Sequence, residues 1–246
     1  MALGGGAFTA RNKTLPGAYV NFISLARVGA TFSERGTAAF ALDLDWGLED
    51  RVFTVTAAEF AKNSLSIFGY DYGHEKLKGL RDLFANAATV HAYRLGNPAS
   101  HRHADCEYGA ARFSGRRGND LTLIITEGDN QYTVRTLLDG VLVDSQTVTN
   151  AEQLVDNDFV IWDDEAILTA TAGIPFTGGE NGEIGISDYQ RFLAQIESYS
   201  DVNAIGVCSD NPQINSLFAG FAKRLRDQVG IKLQCVVFNH AADHEG

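Results

Sequence analysis

The sequence predicts a multidomain chain of mixed α/β and α+β class, with an all-β insert between two helix-containing parts. Three observations carry this. Residues 188–239 read as helix, strand, helix, strand. Residues 36–95 interleave short strands with two helical patterns. Residues 107–171 show only short strand-like runs, closely spaced and punctuated by turn residues. The expected parts are an N-terminal arm at 1–23, a small α+β domain at 24–95, an antiparallel β-sandwich at 96–175 and an α/β domain at 176–246.

The arm opens with the flexible Gly4, Gly5 and Gly6. Leu15, Pro16 and Gly17 make a turn, and Ala18–Ile23 (AYVNFI) alternates as a strand. Tyr19, Asn21 and Ile23 point one way; Val20 and Phe22 point the other. A lone strand must find a sheet edge, either in its own domain or in a neighbouring chain. In the next part, Gly36–Leu44 and Val52–Val55 read as strands, and Thr56 with Glu59 forms a capping-box pattern ahead of a short helix. Leu65–Phe68 is expected as a short strand. Leu77, Leu80, Leu83 and Phe84 mark a helix from about Glu75 to Ala87, and Thr89–Leu95 closes the unit as a strand.

The polar loop Gly96–His103 is a boundary. After it, strands are expected at Glu107–Phe113, Leu121–Glu127, Tyr132–Leu138, Val141–Val148, Phe159–Trp162 and Ile167–Thr171. Asp139-Gly140 between two strands is a strong hairpin signal. Asn150–Gln153 opens a single helical turn. Ile174–Gly185, with four glycines, is expected to be a flexible linker. No Gly-Lys-Ser/Thr follows those glycines, and Glu180 and Glu183 sit where a phosphate would go, which argues against a phosphate loop.

In the last part, Tyr189, Phe192, Leu193, Ile196 and Tyr199 form one apolar helical face, with Ser187 and Gln190 as the expected capping pair. Val202–Cys208 suits a buried strand. Asp210 or Asn211 caps the next helix, and Pro212 fits its first turn. Ile214, Leu217, Phe218, Phe221, Leu225 and Val229 are its expected core face. Gly230 ends it, and Ile231–Phe238 is a second buried strand. Strand, helix and strand in this rhythm make a parallel crossover unit.

The chain carries a formal charge of −11. Residues 1–92 are neutral, with nine basic and nine acidic side chains, so the excess lies wholly in residues 93–246. Between Glu152 and Asp201 there are eleven acids and one base, Arg191. Such a surface disfavours nucleic acid. It suits either solubility or a basic surface on another subunit. No run approaches the roughly 20 apolar residues of a membrane span, and the N-terminus lacks the pattern of a secretory signal. Cys106, Cys208 and Cys235 are odd in number and far apart, as expected of buried, reduced thiols.

Chemistry-bearing patterns are few. His101, His103 and Cys106 have metal-ligand side chains but no second cluster nearby. His240, Asp243, His244 and Glu245 follow the last strand, where α/β proteins gather their sites. Arg116 and Arg117 suit an anion clamp, or a structured turn whose side chains hold backbone groups. Asp43, Asp45 and Asp50 lack calcium-loop spacing, and no Ser sits in a nucleophile elbow.

Several longer segments resemble one family. They are LPGAYVNF at 15–22, GYDYGHEKLKGLRDLF at 69–84, AYRL at 92–95, SGRRGNDLTL at 114–123, QLVDNDF at 153–159, TGGENGE at 177–183, YQRFLAQIES at 189–198 and FAKRLRDQVGIKLQCVVFNHAADHEG at 221–246. In this order and over nearly the whole chain, the sequence resembles the contractile tail sheath proteins of phages and of phage-like defective prophages. The resemblance implies an N-terminal arm and domain, an inserted β-sandwich, and a subtilisin-like α/β domain incomplete at its C-terminus, because family members continue past the equivalent of Gly246. It implies a structural subunit with no enzymatic activity and no cofactor. The expected partners are other copies, in stacked hexameric rings, together with the tail tube, baseplate and tail terminator proteins. Neither nucleic acid nor membrane insertion is expected. The location implied is the virion tail, after assembly in the host cytoplasm. Strand exchange between subunits would use Tyr19, Val20, Asn21, Phe22 and Ile23. Two other readings stay open: an α/β enzyme, hydrolase-like or metal-dependent, using the loop after Phe238, and a soluble adaptor that binds by edge-strand addition.

Overall fold

The structure is a computed structural model and describes residues 36–238. The expected arm strand, Tyr19 to Ile23, lies outside the described residues. So does the group His240, Asp243, His244 and Glu245.

A five-stranded sheet forms the base. Its strands are β1 (Thr37–Leu42), β2 (Val52–Thr56), β3 (Thr89–Arg94), β11 (Val202–Val207) and β12 (Gln234–Val237), in the order β12-β11-β1-β3-β2. The first four run parallel, and β2 runs antiparallel at one edge. Ala39 of β1 lies opposite His91 on one side and Ile205 on the other. The stretches expected as separate units at 24–95 and 176–246 therefore share one sheet. A parallel strand buried on both faces needs neighbours on both sides, and the sequence shows which runs are strands but not which lie side by side.

Helices cover the sheet. α1 (Ala57–Phe68) and α2 (Lys78–Phe84) pack Phe60, Phe68, Leu80 and Phe84 against Ala38, Val55, Val90 and Ala92. α3 (Ile186–Ile196) and α4 (Pro212–Arg224) pack Tyr189, Phe192, Ile214 and Phe218 against Ala39, Ala41, Tyr93 and Ile205. The alternation of β1 explains the split, because neighbouring side chains on a strand point to opposite faces.

The expected capping box at Thr56 is present, with Glu59 closing it. It starts a helix that runs twelve residues, so Leu65–Phe68 is the last turn of α1 and not a strand. The expected helix 75–87 divides into a tight turn at Glu75–Leu77 and the seven-residue α2. Asn211 caps α4, with Pro212 in its first turn. The cap of α3 differs from expectation. Asp188 reaches back to the N–H of Gly185 at 2.6 Å, so the helix starts one residue before Ser187 and the Ser187–Gln190 pair does not form. Past α4 the chain widens into a π turn, Leu225–Val229, which leaves Val229 exposed, against expectation, while Leu225 stays buried.

Between β3 and α3 lies the insert. One antiparallel sheet joins β10 (Thr171–Pro175), β6 (Leu121–Gly128), β7 (Gln131–Leu138) and β8 (Val141–Val148), in that order; β4 (Asp105–Cys106), β5 (Gly109–Ala111) and β9 (Val160–Trp162) form a second. Leu121, Leu123, Ile125 and Val134 of the larger sheet share a core with Ala111 and Val160 of the smaller. Asp139 (φ 51°) and Gly140 (φ 75°) make the tight β7–β8 turn, whose two left-handed positions select this dipeptide. The strand expected at Ile167–Thr171 forms later, at β10, and the one expected at Glu107–Phe113 shrinks to β5. The cysteines are unbridged, but Cys208 is exposed and the other two half-buried. Cys208 falls one residue beyond β11, so the core does not enclose it.

Phe218 tests this packing. It is fully buried, with its ring 5.9 Å from Phe192 and 6.1 Å from Tyr189. Phe218→Ala should lower the unfolding free energy in urea by about 3–5 kcal/mol, and a loss under about 1 kcal/mol would contradict the placement.

Candidate functional site

Among the described residues, a dense set of polar contacts lies where the insert meets the sheet. It begins at Arg94, the last residue of β3. A lone basic residue ending an apolar strand would ordinarily reach water. Here its side chain is wholly buried. Its Nε donates to the carbonyl of Leu44 at 3.0 Å, and its Nη1 donates to Gly47 at 3.0 Å and Ser114 at 2.9 Å. Two of those carbonyls belong to the β1–β2 loop and the third to the insert. Glu49 stands 3.8 Å from Nη1. Burial pulls the Arg94 pKa down to about 10, opposed by the charges of Glu49, Asp45 and Asp43, so the group stays charged at neutral pH. Nη2 has no partner in the structure. It lies 2.6 Å from where a Cβ on Gly115 would stand, and the carbonyl of Asp45 lies 2.1 Å from the same point. With φ at +117°, that position admits glycine alone.

Asp45 is the second anchor. Its carboxylate accepts from Tyr70 at 2.6 Å, from Asn181 at 2.9 Å and from Lys76. Burial alone would raise its pKa; these hydrogen bonds and the Lys76 charge outweigh burial and hold it at about 2. Asn181 also accepts from the N–H of Arg116 at 3.0 Å. Arg117 is the third anchor. Its Nε donates to the carbonyl of Gly69 at 2.7 Å, Nη1 meets Asp120 at 2.8 Å and Asp139 at 2.6 Å, and the Tyr70 ring lies 4.4 Å from its guanidinium. Arg116 and Arg117 therefore belong to a structured turn, and Arg117 is committed to neighbours within the chain.

Trp46 crosses the seam. It leaves the β1–β2 loop, buries its ring in the core of the insert, 5.3 Å from Phe113, and donates to Ser66 at 3.1 Å. The expected flexible linker is also part of the seam. Thr177 exchanges two backbone hydrogen bonds with Asp105, and Glu180 two with Arg102. Asn119 bonds both the N–H and the carbonyl of Gly179. Glycine there permits close approach and not slack.

The sequence-derived metal candidates fall apart. His101 is buried, with Nδ1 2.8 Å from the Ser114 hydroxyl and 3.4 Å from Glu49. Burial lowers its pKa, helped by the Arg94 charge and opposed by Glu49 and Asp188. His103 bonds the carbonyl of Ala111 at 2.7 Å, and Cys106 lies on β4. Among the described residues no three His, Cys, Asp or Glu side chains are grouped to hold a metal ion. Ser114, His101 and Glu49 are nucleophile, base and acid types in contact, but Ser114 and the side chain of His101 are both buried. They pack the seam. Trp46, Asp45, Glu49 and Arg94 had no motif around them, and a charge ending the apolar run TVHAYR was their one signal.

Among the described residues no helix is long and apolar enough to cross a membrane. The sequence model of one family, described as the Tail sheath protein Gp18 domain III N-terminal region, matches residues 35–95. In Bacillus subtilis strain 168, the phage-like element PBSX protein XkdK is 35% identical over 271 aligned positions, and the uncharacterized protein YqbK is 33% identical over 269. Each alignment takes in 99% of this chain and 57% of the relative, so the chain spans a little over half their length. The crystal structure of a sheath tail protein from Desulfitobacterium hafniense superposes with a TM-score of 0.79 at 34% identity, over 94% of this chain and 55% of that one. A sheath tail protein from Listeria innocua gives 0.70 at 29%, over 87% and 50%. The chain belongs to the phage tail sheath family. That family is structural and not enzymatic. The matched tail sheath region ends at Leu95, where the insert begins. In this sheath-family chain, the sheet opened by residues 37–94 is joined by β11 and β12, after the insert.

The seam makes a pH prediction. Asp45 has its pKa lowered, so its contribution to stability is full above its ordinary value of 3.8 and disappears as pH falls to about 2. Asp45→Asn should be less stable than the parent in urea at neutral pH, and the gap should close across that window. A gap independent of pH would show that the carboxylate charge plays no part.

Proposed function

We propose that this chain is the structural subunit of a contractile tail sheath. Copies polymerise as stacked hexameric rings around the tail tube, and the sheath contracts to drive the tube through the host envelope. Its partners are other copies of itself, the tube, the baseplate and the tail terminator. Its location is the virion tail, after assembly in the host cytoplasm. It needs no cofactor and binds no nucleic acid. The α/β unit is subtilisin-like in topology, and the insert is its sandwich domain. Residues 18–23 serve strand exchange between subunits.

The observation that best supports this reading is the seam. A contractile lattice changes the contacts between subunits while each subunit keeps its shape, because packed interiors switch between discrete arrangements and do not deform continuously. Arg94, Asp45 and Arg117 tie the insert to the sheet through buried, charge-assisted hydrogen bonds. Any motion then falls between copies. The acidic surface of residues 152–201 suits complementary contacts with basic surfaces on neighbours.

Removing residues 1–23 tests the reading. The shortened protein should remain folded by circular dichroism yet form no polymer in negative-stain micrographs. Tubes of normal appearance from the shortened protein would refute strand exchange through the arm.

A further inference from the structure

We infer that Asn181 is a deamidation site held shut by the seam, and that its conversion irreversibly releases the return crossing at 177–183. Asparagine is a thermolabile residue. It is most labile before glycine, where no side chain shields the next backbone nitrogen. Asn181-Gly182 is the one Asn-Gly pair in the 246-residue chain. In the reaction, the nitrogen of Gly182 bonds to Cγ of Asn181. The Cγ–Nδ2 bond breaks, and Nδ2 leaves as ammonia with the Gly182 amide proton. Water then opens the cyclic imide to aspartate or isoaspartate. Nothing is oxidised or reduced.

The seam demands both members of this pair. Nδ2 of Asn181 donates to Asp45 at 2.9 Å, and Oδ1 accepts from the N–H of Arg116 at 3.0 Å. A carboxylate could serve only the second, because it has no proton to give. Gly182 is buried, and a Cβ there would run into the His101 ring and lie 2.6 Å from the carbonyl oxygen of Asn97. Packing and hydrogen bonding thus fix the labile dipeptide in place.

The same contacts keep it unreacted. Closing the imide requires the Gly182 nitrogen to swing onto Cγ while the side-chain amide leaves its partners. The backbone is pinned on either side of that swing. Glu180 exchanges two hydrogen bonds with Arg102. The N–H of Glu183 meets the Ser100 hydroxyl at 3.2 Å, and its carbonyl accepts from Asn97 at 2.9 Å. Reaction therefore waits on local opening. Afterwards a new carboxylate faces that of Asp45, which its remaining partners Lys76 and Tyr70 keep charged. The two repel, and isoaspartate also adds a methylene to the backbone. No step restores the amide.

Peptide mass spectrometry of the full chain, aged at mildly alkaline pH, tests this. Asn181 should convert more slowly in native buffer than in urea, by about tenfold or more. In urea, Asn130, which precedes Gln131, should lag behind Asn181. Asp45→Ala removes one tie and should speed the native conversion severalfold. If that variant does not fold, the parent in native buffer against urea decides alone. Equal rates in the two media, or Asn130 keeping pace in urea, would overturn the guarded site. Asn181→Asp carries the product. By hydrogen–deuterium exchange, its amides at Arg102, Asp105, Thr177 and Glu180 should exchange faster than the parent's by about tenfold or more, while Ala39 and Ile205 in the sheet stay protected. Unchanged exchange at the crossing would overturn the release. So would loss of protection in the sheet as well, since the whole fold would then have opened.

Discussion

A guanidinium cannot shed its charge at any ordinary pH, so a buried one must be met by acceptors on every side it presents. Arg94 meets most of this demand, with Nη2 left unpartnered, through carbonyls from two parts of the chain that are far apart in sequence, Leu44 and Gly47 before it and Ser114 after it. The demand runs both ways. Those carbonyls are held in place because the arginine needs them, and the insert is held to the sheet because one of them is its own. Gly115 lets the backbone come close enough, and Glu49 supplies a counter-charge. Around this centre, Asp45 and Arg117 repeat the pattern at lower burial, each joining a side chain of one part to a loop of the other.

This arrangement makes sense of a β insert in the middle of an α/β sheet. Breaking a sheet between β3 and β11 risks a hinge at each crossing. Here the way out passes Arg94 and the way back, at 177–183, is zipped onto 97–105 by backbone pairs. Residues 36–238 accordingly lie within one compact unit. For a subunit of a sheath this matters mechanically. Stiff bodies transmit displacement to their contacts, whereas a hinged body would absorb it.

Much of the fold could be read from residue patterns. The strand β11, the Thr56 capping box, the Asn211 cap and the Asp139-Gly140 hairpin follow from local chemistry that acts within a few residues, whereas the buried strand expected at 231–238 forms only as β12, Gln234–Val237, and is half-exposed. Neighbour relations could not be read, because β1 gives no local sign that β11, more than 150 residues later, lies beside it. A short run such as Leu65–Phe68 fits either period, and the helix started by Thr56 decides the matter. The seam was nearly invisible. Arg117 could be placed in a turn, but Arg94, Asp45 and Trp46 gain their roles only from partners brought together by the fold. The glycines at 178–185 suggest slack, yet Gly179 and Glu180 are held to the insert by paired hydrogen bonds.

The central claim is that buried polar bonds at Arg94 couple the insert to the sheet, so that both behave as one body. Scanning calorimetry of the parent and of Arg94→Met measures this directly. The account predicts a single cooperative transition for the parent, and for Arg94→Met a loss of about 3–5 kcal/mol with the sheet and the insert melting in two separable steps. Two transitions in the parent, or one unshifted transition in the variant, would contradict it.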